Sequence, residues 1–256
     1  MLKSGMPRPK PKPAAYDAFA WFYHRYWNEE FHSLAFPILE RIWLPQVPLQ
    51  GRVLDLCCGT GYLAAMLVER GYRVTGVDSS AEMIRYARRQ APAAEFHVAD
   101  AARVRLRQEH AAAVATFDSL NHLVEPGDLE SALQNAAAAL VPGAPFAFDM
   151  LLEAAYQTHW GETFTLVRDD HVLTITEGGY DFRTRIAACR ITAFRLLDGA
   201  WQRADTVVRE RCYTPAEIDA ALGAAGFGHT TCYDARDLGM AGDLGIGRTF
   251  FVATRL

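Results

Sequence analysis

Residues 53–63, VLDLCCGTGYL, leave this chain few folds to choose from. Arg52–Leu56 reads as a strand, Gly59-Thr60-Gly61 as a tight turn, and Tyr62 to about Arg70 as a helix. Glycines let backbone approach a ligand closely, and the first turn of a helix offers unpaired N–H groups. Gly59, Gly61 and Ala64 also satisfy a dinucleotide fingerprint. Asp55, four residues before Gly59, points elsewhere. A carboxylate there repels a pyrophosphate and suits a cationic ligand.

The alternation continues downstream. Arg73–Val77 reads as a second strand and Ser80–Gln90 as a second helix, with Gly71 closing the helix before them. Strands are expected at Glu95–Ala99, Ala111–Phe117 and Pro145–Asp149, with a helix over Asp128–Leu140. Strands alternating with helices imply a parallel sheet covered on both faces. After residue 160 the rhythm changes. Phe164–Arg168, His171–Glu177, Arg185–Leu197 and Trp201–Cys212 read as antiparallel strands, with turns expected at Asp169-Asp170, Gly178-Gly179 and Asp198-Gly199. Thr214-Pro215-Ala216-Glu217 opens a helix with N-cap, N1 proline and N3 glutamate in place, ending at Gly226. His229–Asp234 and Arg248–Thr254 close as a hairpin. Upstream, Tyr16, Phe19, Phe22, Tyr23, Tyr26, Trp27 and Phe31 recur at helical spacing, and Pro37, Pro45 and Pro48 are read as breaking that helix.

The ordered motifs resemble the class I S-adenosylmethionine-dependent methyltransferases over about 50–150 and again over 212–256. The first motif is Asp55–Gly61, the second Gly76-Val77-Asp78-Ser79-Ser80, and His97–Asp100 is similar to the adenine-contacting motif. Thr116–Leu123 is similar to the loop after the fourth strand, and Leu140–Asp149 to the motif after the following helix. Cys57 and Ala144 stand where the family pattern has glycine, and the acidic residue that usually opens the fourth strand is absent, with Ala111 or a neighbour in its place. Within the class, the aromatic first helix, the S-L-N-H-L loop and the β insertion resemble glycine and amino-sugar N-methyltransferases.

The resemblance implies an α/β fold: a Rossmann-like, seven-stranded, mostly parallel sheet with a terminal antiparallel hairpin, plus an antiparallel β insertion. The expected layout is a basic Pro-rich tail at 1–15 and a helical lid at 16–49. A cofactor-binding core follows at 50–152 and 212–256, with the insertion at 153–211 as substrate cover or dimer surface. S-adenosylmethionine is the implied cofactor. Its expected contacts are Asp55, Cys57, Gly59, Thr60 and Gly61 near the methionine portion, with Asp78 and Ser79 at the ribose. Met83, Asp100 and Ala101 are expected at the adenine, Phe117 in the cleft, and Tyr16 and Tyr23 in the lid beside Trp27. Asp78 by itself also suits a dinucleotide's ribose.

Methyl transfer needs a lone pair aligned with the methyl group and water excluded. A base is needed only for a protonated nucleophile. His122 is the candidate catalytic residue, since an imidazole titrates near neutrality; a loop-holding role is its alternative. Asp118, Ser119 and Asn121 share its loop and are candidates for binding or for loop capping. His24, His159 and His171 are read as surface or structural, and Glu210 with Arg211 as an exposed ion pair in preference to the site-facing polar residues that the resemblance also allows there. No metal site is expected.

Composition narrows the partners. All three lysines and Arg8 lie in the first twelve residues, so the rest of the chain is more acidic than its net charge of −4. An acidic body disfavours duplex nucleic acid, and no apolar run approaches the ~20 residues of a membrane span. Five cysteines without paired spacing suit reduced thiols in a cytoplasm. The expected function is methyl transfer to a small molecule at nitrogen or oxygen, by a monomer or homodimer without nucleic-acid or membrane partners. A nicotinamide-dependent oxidoreductase and a non-catalytic binding module are the alternatives.

Overall fold

The computed structural model describes residues 14–159 and 163–256. The basic tail, apart from Ala14 and Ala15, and the side chain of His159 lie outside them.

Two helices come first, α1 (Ala20–Tyr26) and α2 (Asn28–Ile42). Pro37 does not break the second: it sits inside α2. Phe31, Ala35, Phe36, Ile38 and Leu39 of that helix are all buried, and burial on this scale outweighs the ~3 kcal/mol that an interior proline costs.

The main sheet holds β1 (Arg52–Leu56), β2 (Arg73–Asp78), β3 (Glu95–Val98), β4 (Ala112–Ala115) and β5 (Pro145–Leu151) in parallel. Between them run α3 (Tyr62–Glu69), α4 (Ala81–Gln90) and α5 (Asp128–Ala139). Successive β1 residues feed opposite layers. Val53 packs with α2, α3 and α4, while Leu54 packs with α5 and the C-terminal helix. A strand buried on both faces reads as an unbroken apolar run, which makes Asp55 in its midst expensive and conspicuous.

A short helix, α6 (Glu153–His159), then leads into a second sheet; the sequence pattern did not signal it. This sheet is antiparallel and consecutive: β6 (Phe164–Arg168), β7 (His171–Asp181), β8 (Ile186–Leu197) and β9 (Ala200–Arg211). Asp198-Gly199 turns as expected, both residues at positive φ. Gly178-Gly179 does not turn. It forms a register shift within β7, and the chain reverses four residues later. A Cβ on Gly178 would stand 2.9 Å from the Ala188 carbonyl oxygen, so the pair serves close strand approach at a bulge.

The chain returns to the first sheet through α7 (Pro215–Ala224), where Thr214 and Glu217 form the expected reciprocal cap. It ends in β10 (Phe227–Asp234) and β11 (Arg248–Arg255). The strand order is β10-β11-β5-β4-β1-β2-β3, with β11 antiparallel to both neighbours. The order reverses between β1 and β4, and in open α/β sheets ligands bind beyond the strand ends at such a point.

Gly61 shows how tightly the turn after β1 is built. Its φ is +76°, and a Cβ there would lie 2.9 Å from the Ala87 Cα. Gly71 has φ +85° with nothing within 4 Å. Both Gly→Ala variants therefore meet the left-handed backbone penalty of about 1–3 kcal/mol. Gly61→Ala also drives α3 from α4, so urea unfolding should show it clearly less stable than Gly71→Ala.

Candidate active site

One cavity of about 540 Å³ opens where β1, β2 and β4 end, beneath α1 and against the inner face of the second sheet. That volume falls within the usual range for small-molecule sites.

The loop after β4 carries the most constrained backbone. Phe117 and Asp118 both adopt left-handed φ, at +61° and +48°. Asp149 on β5 holds them: its Oδ1 accepts from the Phe117 N–H at 2.7 Å and its Oδ2 from the Asp118 N–H at 3.0 Å. Arg248 on β11 then bridges the carboxylates of Asp149 and Asp118, and its Nε–H donates to the Leu244 carbonyl at 2.7 Å. The guanidinium is 4.9 Å from the Phe31 ring, which stacks on Phe117 with centroids 4.1 Å apart. Arg248 is only 2% exposed. It gave no signal in the sequence beyond a basic residue opening a strand.

Asn121 ties the same loop down. Its Nδ2 donates to the carbonyls of Leu151 and Arg211, and its Oδ1 accepts from the Leu151 N–H. Asn121 is therefore a loop fastener. Asp118 is half of an ion pair that lines the cavity, and Ser119 lines it as well.

His122 lies in the cavity wall with both nitrogens engaged. Nδ1 is 3.0 Å from the Arg209 carbonyl and so carries the proton. Nε2 is left to accept from the Tyr16 hydroxyl at 2.8 Å. Burial lowers the imidazole pKa against an opposing influence from Asp118, and burial pushes the Tyr16 phenol up. Both groups are neutral near pH 7.

Ten of the expected cofactor residues line the cavity: Tyr16, Tyr23, Cys57, Gly59, Asp78, Ser79, Met83, Asp100, Ala101 and Phe117. Asp55, Thr60 and Gly61 do not. Thr60 is buried and takes a hydrogen bond from Asn28 on α2, and Gly61 faces α4. Asp55 is 2% exposed beneath the turn, with Oδ2 lacking any hydrogen-bond partner. Burial, reinforced by Asp78, pushes its carboxyl up to about 8. Asp78 receives N–H groups from Gly59 and Ser80, yet burial still raises it to about 6. Cys57, where the family pattern has glycine, takes that glycine's left-handed backbone, with φ +60°. Asp100 accepts from the Ala102 N–H at 2.8 Å and pairs with Arg103.

The N-terminal segment is fastened across the mouth at three points. Tyr16 bonds His122, Asp17 accepts from the Ser80 hydroxyl at 2.5 Å, and the Thr206 hydroxyl donates to the Ala15 carbonyl at 2.9 Å. Phe19 and Phe22 pack against Leu173, Ile191 and Val208 of the second sheet. Trp27 also lines the cavity.

One reading of the sequence is corrected and one is narrowed. Glu210 is not part of an exposed ion pair: it is 6% exposed, lines the cavity and accepts from the Tyr156 hydroxyl at 3.0 Å. β9 alternates inward and outward, so Glu210 turns in with Val208 while Arg211 pairs with Glu217. His171 is structural but not at the surface. It is buried between Tyr26 and Asp170, remote from the cavity lining. His24 packs on Tyr86 and does not line the cavity.

Residues 53–143 match the family model for a methyltransferase domain. A dTDP-3-amino-3,6-dideoxy-alpha-D-glucopyranose N,N-dimethyltransferase of Streptomyces fradiae is 34% identical over 37% of this chain and 37% of its own length. A trans-aconitate 2-methyltransferase of Paracidovorax citrulli is 39% identical over 42% of each chain. The crystal structure of an S-adenosylmethionine-dependent methyltransferase from Clostridium acetobutylicum shares the fold. Its TM-score is 0.76 at 19% identity, with 94% of this chain and 99% of that one covered.

Two variants test the buried charges. An unfolded aspartate releases its proton near pH 4, while folded Asp55 keeps it to about 8. Between those values the native state binds the extra proton, so ligand-free stability falls as pH rises. Asp55→Asn should flatten that slope in urea midpoints taken from pH 5 to 8. Arg248→Met strands two buried carboxylates and should cost about 3–5 kcal/mol in the same assay at pH 7.

Proposed function

From a chain that is a methyltransferase, with its family domain at residues 53–143, we propose a particular use of the cavity. S-adenosylmethionine binds along the wall from Cys57 through Asp78 to Asp100. The methyl group passes to a nitrogen or oxygen of a small molecule held between His122 and the second sheet. One observation carries this reading. The glycine turn, the end of β2 and the His122 loop line a single cavity, roofed by an aromatic segment and walled by the second sheet.

The residues suit that cofactor. Buried Asp55 has an oxygen without a partner under the glycine turn, which a cationic ligand would compensate. Above the turn, the nearest atom to a Cβ on Gly59 would be Tyr23 Cε1, at 3.8 Å, so ligand and lid share the space a side chain would fill. Asp78 faces the cavity with acceptor oxygens for ribose hydroxyls. Met83 and Ala101 offer apolar surface for an adenine face. Phe117 and Tyr23, with ring centroids 5.8 Å apart, present aromatic surface to a sulfonium. The cofactor supplies an electrophilic methyl group and a neutral thioether as leaving group.

The protein's own contribution is alignment and dryness. Tyr16, Phe19, Tyr23 and Trp27 close the cavity from one side, which excludes water and fixes the approach of the acceptor. His122 acts through Tyr16 in this arrangement. With Nδ1–H spent on Arg209, its Nε2 accepts the hydrogen bond of the Tyr16 hydroxyl, and the Tyr16 oxygen is left to accept a hydrogen bond from the acceptor group. In this reading His122 has a positioning role first and a proton-accepting role only when Tyr16 moves away.

The relatives' named acceptors, an amino sugar derivative and trans-aconitate, support a small-molecule acceptor. Among helices of the described residues, none is long and apolar enough to cross a membrane.

Calorimetric titration tests the reading. S-adenosylmethionine and S-adenosylhomocysteine should both saturate the protein one to one, and NADH should not bind. Asp78→Ala should weaken both by about tenfold or more, the equivalent of ~1.4 kcal/mol or a hydrogen bond or two to a carboxylate. Saturable NADH binding with no response to the other two ligands would overturn it.

A further inference from the structure

The cavity is lined by six carboxylates: Glu30, Asp78, Asp100, Asp118, Asp128 and Glu210. Among the described residues, no lysine or arginine lines it. Two guanidiniums reach lining carboxylates and both are already engaged: Arg248 is shared between Asp118 and Asp149, and Arg103 between Asp100 and Asp128. A phosphate or carboxylate brought here would meet like charge at short range in a partly desolvated space, and the described residues lining it include no lysine or arginine to pair it.

The acceptor half of the cavity has a distinct character. Phe19, Ile175, Ile191 and Val208 give it an apolar wall, and Glu210 is set among them on β9. The Glu210 carboxyl is held from behind, where Oε2 accepts from Tyr156. Its Oε1 lies 3.8 Å from His122 Nε2, beside the Tyr16 hydroxyl that bonds the same nitrogen. A buried carboxyl on an otherwise apolar strand face is costly unless it meets a counter-charge. Among the described residues, no arginine, lysine or histidine approaches Oε1 more closely than His122, which is neutral.

We infer that the acceptor is an apolar amine, recognised as its ammonium ion by Glu210 and carrying no phosphate or carboxylate group. This rests on the proposed function and narrows it. It departs from both relatives, whose named acceptors carry a nucleoside diphosphate or carboxylates. An ammonium ion gives Glu210 a counter-charge in direct contact, which no charged side chain among the described residues supplies, and the apolar wall takes the rest of the molecule. Before transfer an N–H bond breaks and its proton passes to Glu210 Oε1. The freed lone pair forms the bond to the methyl carbon, and the pair from the carbon–sulfur bond stays on sulfur. An alcohol of the same shape brings no charge to Glu210.

The test is acceptor binding by calorimetry on the full chain saturated with S-adenosylhomocysteine, which separates recognition from turnover. The probes are benzylamine, phenethylamine and 3-phenylpropylamine, each beside the alcohol and the carboxylate of the same carbon skeleton, with thymidine diphosphate as a further anion. At least one amine should bind ten times more tightly than its matched alcohol, and no anion should saturate the site. Glu210→Gln should remove that preference while leaving S-adenosylhomocysteine affinity within about twofold. The ranking in the parent chain stands whether or not the variant folds. A carboxylate or thymidine diphosphate binding more tightly than the amines, absence of binding by every amine, or an unchanged preference in Glu210→Gln would each overturn the inference. Failure of S-adenosylhomocysteine itself to bind would instead overturn the cofactor reading on which it rests.

Discussion

The clamp of Asp149, Arg248 and Asp118 holds the rest of the site in place. Two consecutive residues without glycine's freedom, Phe117 and Asp118, adopt left-handed backbone. Each such conformation costs on the order of 1 kcal/mol or more and persists only where surroundings dictate it. Here one carboxylate receives both N–H groups, and a buried guanidinium fixes that carboxylate. The strain is local, but its geometric effect is wide. It turns the chain after β4 so that Phe117 stacks on Phe31 of α2 and His122 reaches Tyr16 and Arg209. Strands β4, β5 and β11 and helix α2 thus meet at one side chain, Arg248.

That clamp also explains where the N-terminal segment lies. Without Phe117 in its stacked position, α2 would lose an aromatic partner at the mouth of the cavity. Asn28 on the same helix reaches Thr60 in the glycine turn, so α2 touches both halves of the site. The segment ahead of it is pinned by polar contacts to three separate elements: the His122 loop, the cap of α4 and β9. Each of these single hydrogen bonds contributes only about 1 kcal/mol net. The aromatic contacts with the second sheet add apolar burial to them.

Much of this was legible in the sequence because local chemistry forced it. The glycine turn, the alternating strands and helices and the Thr214–Glu217 cap depend on neighbours within a few residues. Ten expected cofactor residues line one cavity because a parallel sheet brings its strand ends together. The features that were missed depend on pairings far apart in the chain. Arg248 matters through residues 99 and 130 positions away, which no window of sequence displays. Pro37 was misread because helix propensity ignores the core that α2 fills. Gly178-Gly179 was misread because a bulge and a turn ask for the same residue type. Glu210 was misread because its neighbour Arg211 offered an obvious partner, whereas strand alternation sends the two to opposite faces.

The placement of Glu210 has a wider consequence for specificity. In the proposed reading, the wall from Cys57 to Asp100 lies within residues 53–143, which match the methyltransferase-domain model, while the acceptor side pairs the His122 loop with α1 and the second sheet, which lie outside that match. The two walls are therefore free to diverge separately, and likeness over the first says little about the second. In this chain the described residues facing the cavity from that sheet are apolar or acidic. Coulomb's law at short range in a desolvated space makes the sign of that wall a stronger filter than its shape. A single carboxyl set in an apolar strand face selects by charge first, and the aliphatic side chains around it then select by fit.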